Sequence, residues 1–254
     1  MPVATSSSYA LGRDETYWKQ YYQSQGDTHD CGPFNVAMML NALAGKPALF
    51  SGQTISQEMY QRWQRIPQSF DSIKGIRLPE KIAQEVNRKL SEIGGATPPW
   101  SMVRAFNQNA ARDGILWRAV RQSGGTKEEL LEYLEQGRPV TVLKIWDSGG
   151  AHYETVVGYD SVDDQIITLD PGWNKSNFPG QKLPPALHPQ SWNEFEKAWS
   201  YRPWWARLSG IKNEMIVYMP VAPTTPASST PVAVPAQQAP VSSPSPSATP
   251  EAER

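Results

Sequence analysis

One cysteine and three histidines (Cys31, His29, His152 and His188) are the only thiol and imidazoles in 254 residues. Any chemistry needing either group draws on these four. A solitary cysteine is more often a small buried hydrophobe than a nucleophile, but the neighbours of Cys31 argue otherwise. Asp30-Cys31-Gly32-Pro33 opens an apolar-periodic run, which puts Cys31 in the first turn of a helix capped by Asp30. Unpaired backbone N–H groups and the helix dipole favour negative charge there, so the position favours a thiolate, the nucleophilic form. Gly32 would let a substrate backbone approach the sulfur. The N–H of Cys31 lies where the oxyanion of an attacked carbonyl would develop, and Gln25, six residues upstream on the entering loop, offers a second donor. His152 opens a strand after Gly149-Gly150-Ala151, small residues that leave room for a ligand, so Gly150 joins Gly32 as a candidate substrate contact. If the hairpin that follows turns at Val162, Asp170 opposes Glu154 and lies diagonally across from His152 on one face. A one-residue slip would separate them. Nucleophile, base, orienter and oxyanion donor then follow the triad logic transferred to a thiol.

Other candidates are weaker. Trp173 lies three residues past Asp170 and is the best placed of the aromatic substrate contacts, ahead of Trp100, Trp204 and Trp205. His29 suits a surface loop beside the helix start, and His188, between Leu187 and Pro189, suits an exposed Pro-rich loop. Neither completes a ligand set with Cys31, so no metal and no cofactor is expected.

The elements that must carry these residues read as helices first and strands afterwards. Val36, Met39, Leu40 and Leu43 recur at helical spacing and Gly45 stops the run. Further helices are expected at 56–63, 79–93 (closed by Gly94-Gly95) and 100–111. Another begins after the capping box Thr126-Lys127-Glu128-Glu129. Strands are expected at 139–146, 152–159 and 165–169, then a short helix at 191–199 and a last strand at 214–219. The fold class is α+β, an N-terminal helical part with Cys31 at a helix N-terminus and a C-terminal antiparallel sheet carrying His152 and Asp170.

These motifs together resemble the papain-like cysteine peptidases, and within them the double-glycine leader peptidases, family thirty-nine of the cysteine peptidases. The matching residues are Gln25; Asp30-Cys31-Gly32-Pro33 leading to Met38-Met39-Leu40; His152-Tyr153 running into Val156-Val157-Gly158-Tyr159-Asp160; and Leu169-Asp170-Pro171. The resemblance implies a papain-like fold with Cys31 as nucleophile, His152 as base, Asp170 as orienter and Gln25 in the oxyanion hole, acting on a peptide or protein substrate. Residues 46–125 match nothing in that pattern and read as a helical insertion. The leader peptidases are fused to a transporter and an ATPase. This sequence has no apolar run of membrane-spanning length and no GxxxxGK[ST] phosphate loop. A peptidase-like hydrolase is the leading expectation. The alternatives are an acyltransferase or cell-wall amidase using the same site, and a non-catalytic module binding through its cleft or tail.

A net charge of −1 and a pI near 6.3 lack the basic surplus that nucleic-acid binding needs. All ten tryptophans fall between Trp18 and Trp205, within an expected domain at 13–219 preceded by a flexible start at 1–12. From Pro220 the chain holds nine prolines and no aromatic residue, a composition expected to stay disordered and to suit a polyproline-binding partner. A lone free thiol and the lack of a basic-then-apolar leader point to a cytoplasmic location, or a secreted one if a leader has been removed.

Overall fold

From Gly32 to Ala42 only Asn35 and Asn41 are strongly polar, and a helix apolar on every side must be wrapped on every side. That requirement organises the fold. The computed structural model describes residues 7–62, 64–66, 69, 78–93, 96–147, 150–172 and 186–222. Its first long helix, α2 (Cys31–Ala44), follows the short α1 (Glu15–Lys19) and is buried continuously from Gly32 to Ala42. Helices α3 (Gly52–Gln61) and α5 (Pro99–Arg112) cover two of its sides, and the sheet covers a third. Between α3 and α5 lies α4 (Glu80–Ile93), whose described side chains stay out of the core; Ile82 is half exposed.

Seven strands among the described residues form one antiparallel sheet: β1 (Ser7–Tyr9), β2 (Trp117–Gln122), β3 (Val140–Ile145), β4 (Ala151–Asp160), β5 (Gln165–Leu169), β6 (Leu187–Ser191) and β7 (Met215–Pro220). The order is β2-β7-β3-β4-β5-β6, with β1 pairing with the far end of β4. Helix α6 (Lys127–Glu135) starts at the expected capping box, with Thr126 and Glu129 bonded reciprocally. Helices α7 (Trp192–Trp199) and α8 (Trp204–Leu208) lead into β7. Val140, Val142, Val156, Ile166, Leu169 and Tyr218 pack from the sheet into one core with Met38, Met39, Met102, Phe106 and Trp199. No described helix is long and apolar enough to cross a membrane.

The α+β expectation holds, and four local expectations change. The start is not loose throughout: Ser7–Tyr9 pairs with β4, and Ala10 is fully buried. Residues 46–125 are not an insertion on a finished domain, since α5 buries Met102, Ala105 and Phe106 against α2, and β2 pairs with β7 along its whole length. His188 lies in β6 rather than in an exposed loop, opposite Thr168 and half-buried. Asp30 precedes α2 but makes no side-chain cap bond, because Arg65 takes its carboxylate. Gly94-Gly95 and the chain from 223 onward lie outside the described residues.

The β4–β5 hairpin sets the site. Next to His152 the pairs are Thr155–Leu169 and Val156–Thr168, the register expected from the sequence. Toward the turn they become Gly158–Ile167 and Tyr159–Ile166, shifted by one residue. The extra residue, Val157, sits in a bulge between the two registers. Without it, the turn's own register would carry His152 and Asp170 to opposite faces.

Candidate active site

Cys31 is the first residue of α2, and its side chain is partly buried. At that position its N–H has no intrahelical acceptor. Helix and sheet are stitched together just behind it. The amide of Asn35, one turn on and fully buried, donates through Nδ2 to the carbonyls of Cys31 (2.9 Å) and Tyr153 (2.8 Å). Its Oδ1 accepts from Thr155 Oγ1 at 2.7 Å, which bonds Thr141 Oγ1 (2.7 Å), itself 2.9 Å from Tyr218 Oη. This chain fixes the head of α2 against the strand that presents His152.

His152 is the second residue of β4, and its Nε2 lies 2.5 Å from Asp170 Oδ1. The ring and the Cys31 thiol lie close enough for each one's charge to shift the other's ionisation. Asp170, just past β5, is nearly buried and accepts a second bond from the Gly172 N–H at 2.8 Å. A Cβ at Gly172 would stand 2.6 Å from His152 Cε1, so any side chain there would make the ring or the turn shift.

Burial pushes the Cys31 thiol up. The positive ring of His152, its hydrogen bond, a backbone bond at Tyr153 and the charge of Arg65 together outweigh burial and leave it below its ordinary value. Burial depresses the His152 ring, but the charges of Asp170 and Cys31 and its bonds to both hold it well above 6.5. Asp170 is raised by burial and lowered more by His152, Gly172 and Lys144, so it stays below the usual carboxylate range. All three directions favour a thiolate–imidazolium pair backed by a carboxylate.

Gln25 is brought to the same place by its backbone, whose N–H donates to the Pro171 carbonyl at 2.9 Å and ties the loop before Cys31 to the Asp170 turn. Its side-chain Nε2 donates to the Thr28 carbonyl within its own loop. Gly32 is buried, and a Cβ there would meet Thr97 at 2.8 Å, so close packing of Thr97 accounts for this glycine. Gly150 is exposed, and its carbonyl accepts the Trp146 N–H at 2.9 Å. That contact places Trp146, partly exposed, with its ring centre 6.3 Å from that of His152. Trp173 lies outside the described residues. Trp100 is half exposed beneath the Arg121 guanidinium, and Trp204 is strongly exposed on α8. His29 is exposed and contributes its carbonyl to Arg65.

Sequence reasoning missed Arg65, Asn35, Thr97 and Trp146. Arg65 has a fully buried side chain that bonds the Asp30 carboxylate, Ser56 Oγ (2.7 Å) and the His29 carbonyl (3.0 Å), and its Cζ lies 4.5 Å from the Tyr60 ring centre. It holds the turn that enters α2. Only Asn35 left a sequence signal, as one of two amides, with Asn41, in a helix otherwise apolar from Gly32 to Ala42.

Among the described residues one group of ligand-type side chains is present, His152, Glu154 and Asp170, with donor atoms within 4.8 Å of one another. Glu154 is already engaged at both oxygens: Oε1 by Lys144 Nζ at 2.6 Å, Oε2 by Thr168 (3.0 Å) and Gln190 (2.9 Å). A cation would have to displace a buried ammonium, so the donor set does not fit a metal.

No curated protein matches this chain. A crystal structure described as that of a C39-like peptidase from Bacillus anthracis matches with 14% identity and a TM-score of 0.47, covering 84% of this chain and 97% of that one. The profile of the Peptidase_C39-like family matches residues 17–203, a stretch that contains the whole cluster from Gln25 to Gly172. On that match, the chain belongs to the Peptidase_C39-like family.

Proposed function

We propose that the protein is a cysteine peptidase-like hydrolase that cuts peptide or amide bonds through an acyl-enzyme on Cys31. The Cys31 thiolate attacks the carbonyl carbon and forms the C–S bond. The oxyanion is received by the Cys31 N–H and by the second Nε2 hydrogen of Gln25, the one not given to Thr28. The imidazolium of His152 then gives its proton to the leaving nitrogen as the C–N bond breaks. A water attacks the thioester, His152 takes its proton, and the C–S bond breaks to release the carboxylate and restore the thiolate. Asp170 holds the ring in the tautomer this cycle needs.

One observation carries this reading: His152 is held at Nε2 by Asp170 at 2.5 Å, and its ring and the thiol at the head of α2 shift each other's ionisation toward the charged pair. A buried structural cysteine has no need of that arrangement.

The test is the pH dependence of Cys31 alkylation by iodoacetamide in the wild type and in His152→Ala, followed by peptide cleavage in the wild type and in Cys31→Ser. Fast alkylation below neutral pH that disappears in His152→Ala, with cleavage lost in Cys31→Ser, is expected. A thiol titrating near its free value of about 8.5 in both proteins would overturn the reading. Transfer of the acyl group to an added amine in preference to water would convert it to an acyltransferase.

A further inference from the structure

We propose that α8 and the basic residues around it form a docking surface for an anionic lipid bilayer, at the same end of the sheet as Cys31 and His152. Among the described side chains the helix is anchored through Ala206. Ala206 is fully buried and Ile211 nearly so, joined by the Ile211 N–H to Ala206 carbonyl bond at 2.9 Å. On the other side Trp204 and Leu208, one turn apart and so on one face, are 73% and 81% exposed. These are the most exposed tryptophan and leucine among the described residues, and they belong to an element held firmly from behind.

From 200 to 213 the charge has one sign, while α7 carries Glu194 and Glu196 beside Lys197. Lys197, Arg202 and Arg207 line an open groove with Ser200 and Tyr201. Lys212 follows, and no acidic residue occurs from 200 to 213. Among the described residues none of these four cations has a carboxylate partner. Arg202 and Arg207 spend a hydrogen bond each on backbone carbonyls, of Ile211 and Arg202 (both 3.1 Å). In a chain whose net charge is −1, this concentration is local.

A soluble phosphate would need the cations and not the exposed leucine, and an apolar protein partner would need the leucine and not the cations. A tryptophan and a leucine projecting from a cationic rim match an anionic bilayer, where apolar side chains enter the headgroup boundary and Lys and Arg meet the lipid charge.

The patch is tied to the end of the sheet that carries His152. The chain after α8 bonds back to Ser123, whose Oγ donates to the Gly210 carbonyl at 2.9 Å. It reaches β7 at Glu214, whose carbonyl accepts the Leu143 N–H at 3.3 Å. Leu143 pairs with Tyr153, the neighbour of His152. Docking would bring the sheet end that carries Cys31 and His152 close to substrates held at, or emerging from, a membrane surface.

The experiment is co-sedimentation of the full chain with vesicles of phosphatidylcholine alone and with about 30% phosphatidylglycerol, an anionic surface that attracts basic patches. It reads binding alone, so it stands apart from the chemistry at Cys31. Binding to the anionic vesicles only, weakened by salt, is expected. Trp204→Ala/Leu208→Ala and Lys197→Glu/Arg207→Glu should each lower the partition at least tenfold while keeping the wild-type melting temperature. No binding, equal binding to both vesicles, wild-type binding by both variants, or binding to heparin in solution with vesicles ignored would each overturn the proposal. A variant that loses its melting transition is replaced by the milder Trp204→Ser or Lys197→Gln, read against the same outcomes.

Discussion

Asn35 and Tyr153 join the two halves of the site: the Asn35 side-chain amide donates at 2.8 Å to the Tyr153 carbonyl, one residue after His152, and at 2.9 Å to Cys31, one turn before it. The relative position of thiol and imidazole therefore passes through one buried amide.

Replacing Asn35 by Ala removes the side-chain donor to the Tyr153 and Cys31 carbonyls and the acceptor of the Thr155 hydroxyl, which keeps only Thr141. A buried polar group left unpaired costs about 1–3 kcal/mol, so the melting temperature should fall. Asn35→Asp keeps the size and the Oδ1 acceptor but loses the NH2. If the amide aligns the site, the pH profile of Cys31 alkylation in Asn35→Asp shifts toward that of a free thiol. An unchanged profile in a folded Asn35→Asp protein would reduce Asn35 to a structural role.

The three shifted groups fix a pH window. Cys31 is lowered from its ordinary value and His152 is raised well above 6.5, and both directions favour the thiolate–imidazolium pair. Alkylation should rise with pH through a Cys31 value lower than that of a free thiol, and this lowering should shrink in His152→Ala. For stability the signs differ. The Asp170 contribution is present above its unfolded value of about 3.9 and lost as pH falls through its lower folded value. The His152 contribution is complete below its unfolded value and lost as pH rises through its raised folded value. Melting temperature against pH, for wild type and His152→Ala, checks this: the mutant should lose the decline on the alkaline side.

Gly172→Ala tests how tightly the ring is held. The new methyl would stand 2.6 Å from Cε1 and 2.9 Å from Nε2 of His152, so the ring must move away from Asp170 or the turn must open. Displacing a reacting group by about an ångström can cost on the order of 100-fold. Peptide cleavage by Gly172→Ala should fall by about that factor, and the alkylation advantage below neutral pH should shrink with it. Wild-type rates would mean that the turn yields and the ring does not.

The catalytic candidates were legible because each came with a local signature: the cap-like start before Cys31, the small residues before His152, the Asp-Pro-Gly turn after β5. The His152–Asp170 pairing was legible too, through a turn centred on Val162, although the register at the turn itself differs by one and the Val157 bulge restores it. Bulges leave little trace in an apolar strand such as Val156-Val157. What lay beyond reach was long-range. Arg65 meets Asp30 across thirty-five residues, and Tyr153 Oη donates to the Thr97 carbonyl (2.8 Å) across fifty-six. A charged residue outside a motif reads as a solvated surface group until the fold buries it. Residues 46–125 read as an insertion for the same reason: the contacts that make α5 and β2 part of the core are made to other segments.

Arg65 gives the sharpest contrast between charge and hydrogen-bond geometry. Its guanidinium sits behind the turn that enters α2, with its side chain fully buried and bonded to Asp30, Ser56 and the His29 carbonyl. Arg65→Met removes the cation and leaves the Asp30 carboxylate without its partner. Breaking a buried pair by deleting one member costs about 3–5 kcal/mol, enough to lower the melting temperature visibly or to prevent folding. Arg65→Lys keeps the positive charge that helps depress the Cys31 thiol, but one ammonium cannot span three partners in the guanidinium's planar fork. The lysine variant should fold with a lowered melting temperature and a thiol close to wild type in its pH profile. Its cleavage should nonetheless be slower, because the loop carrying Gln25 and the Cys31 N–H is less well held. If Arg65→Lys matches wild type in melting temperature and in cleavage, the fork geometry is irrelevant and only the charge at this position matters.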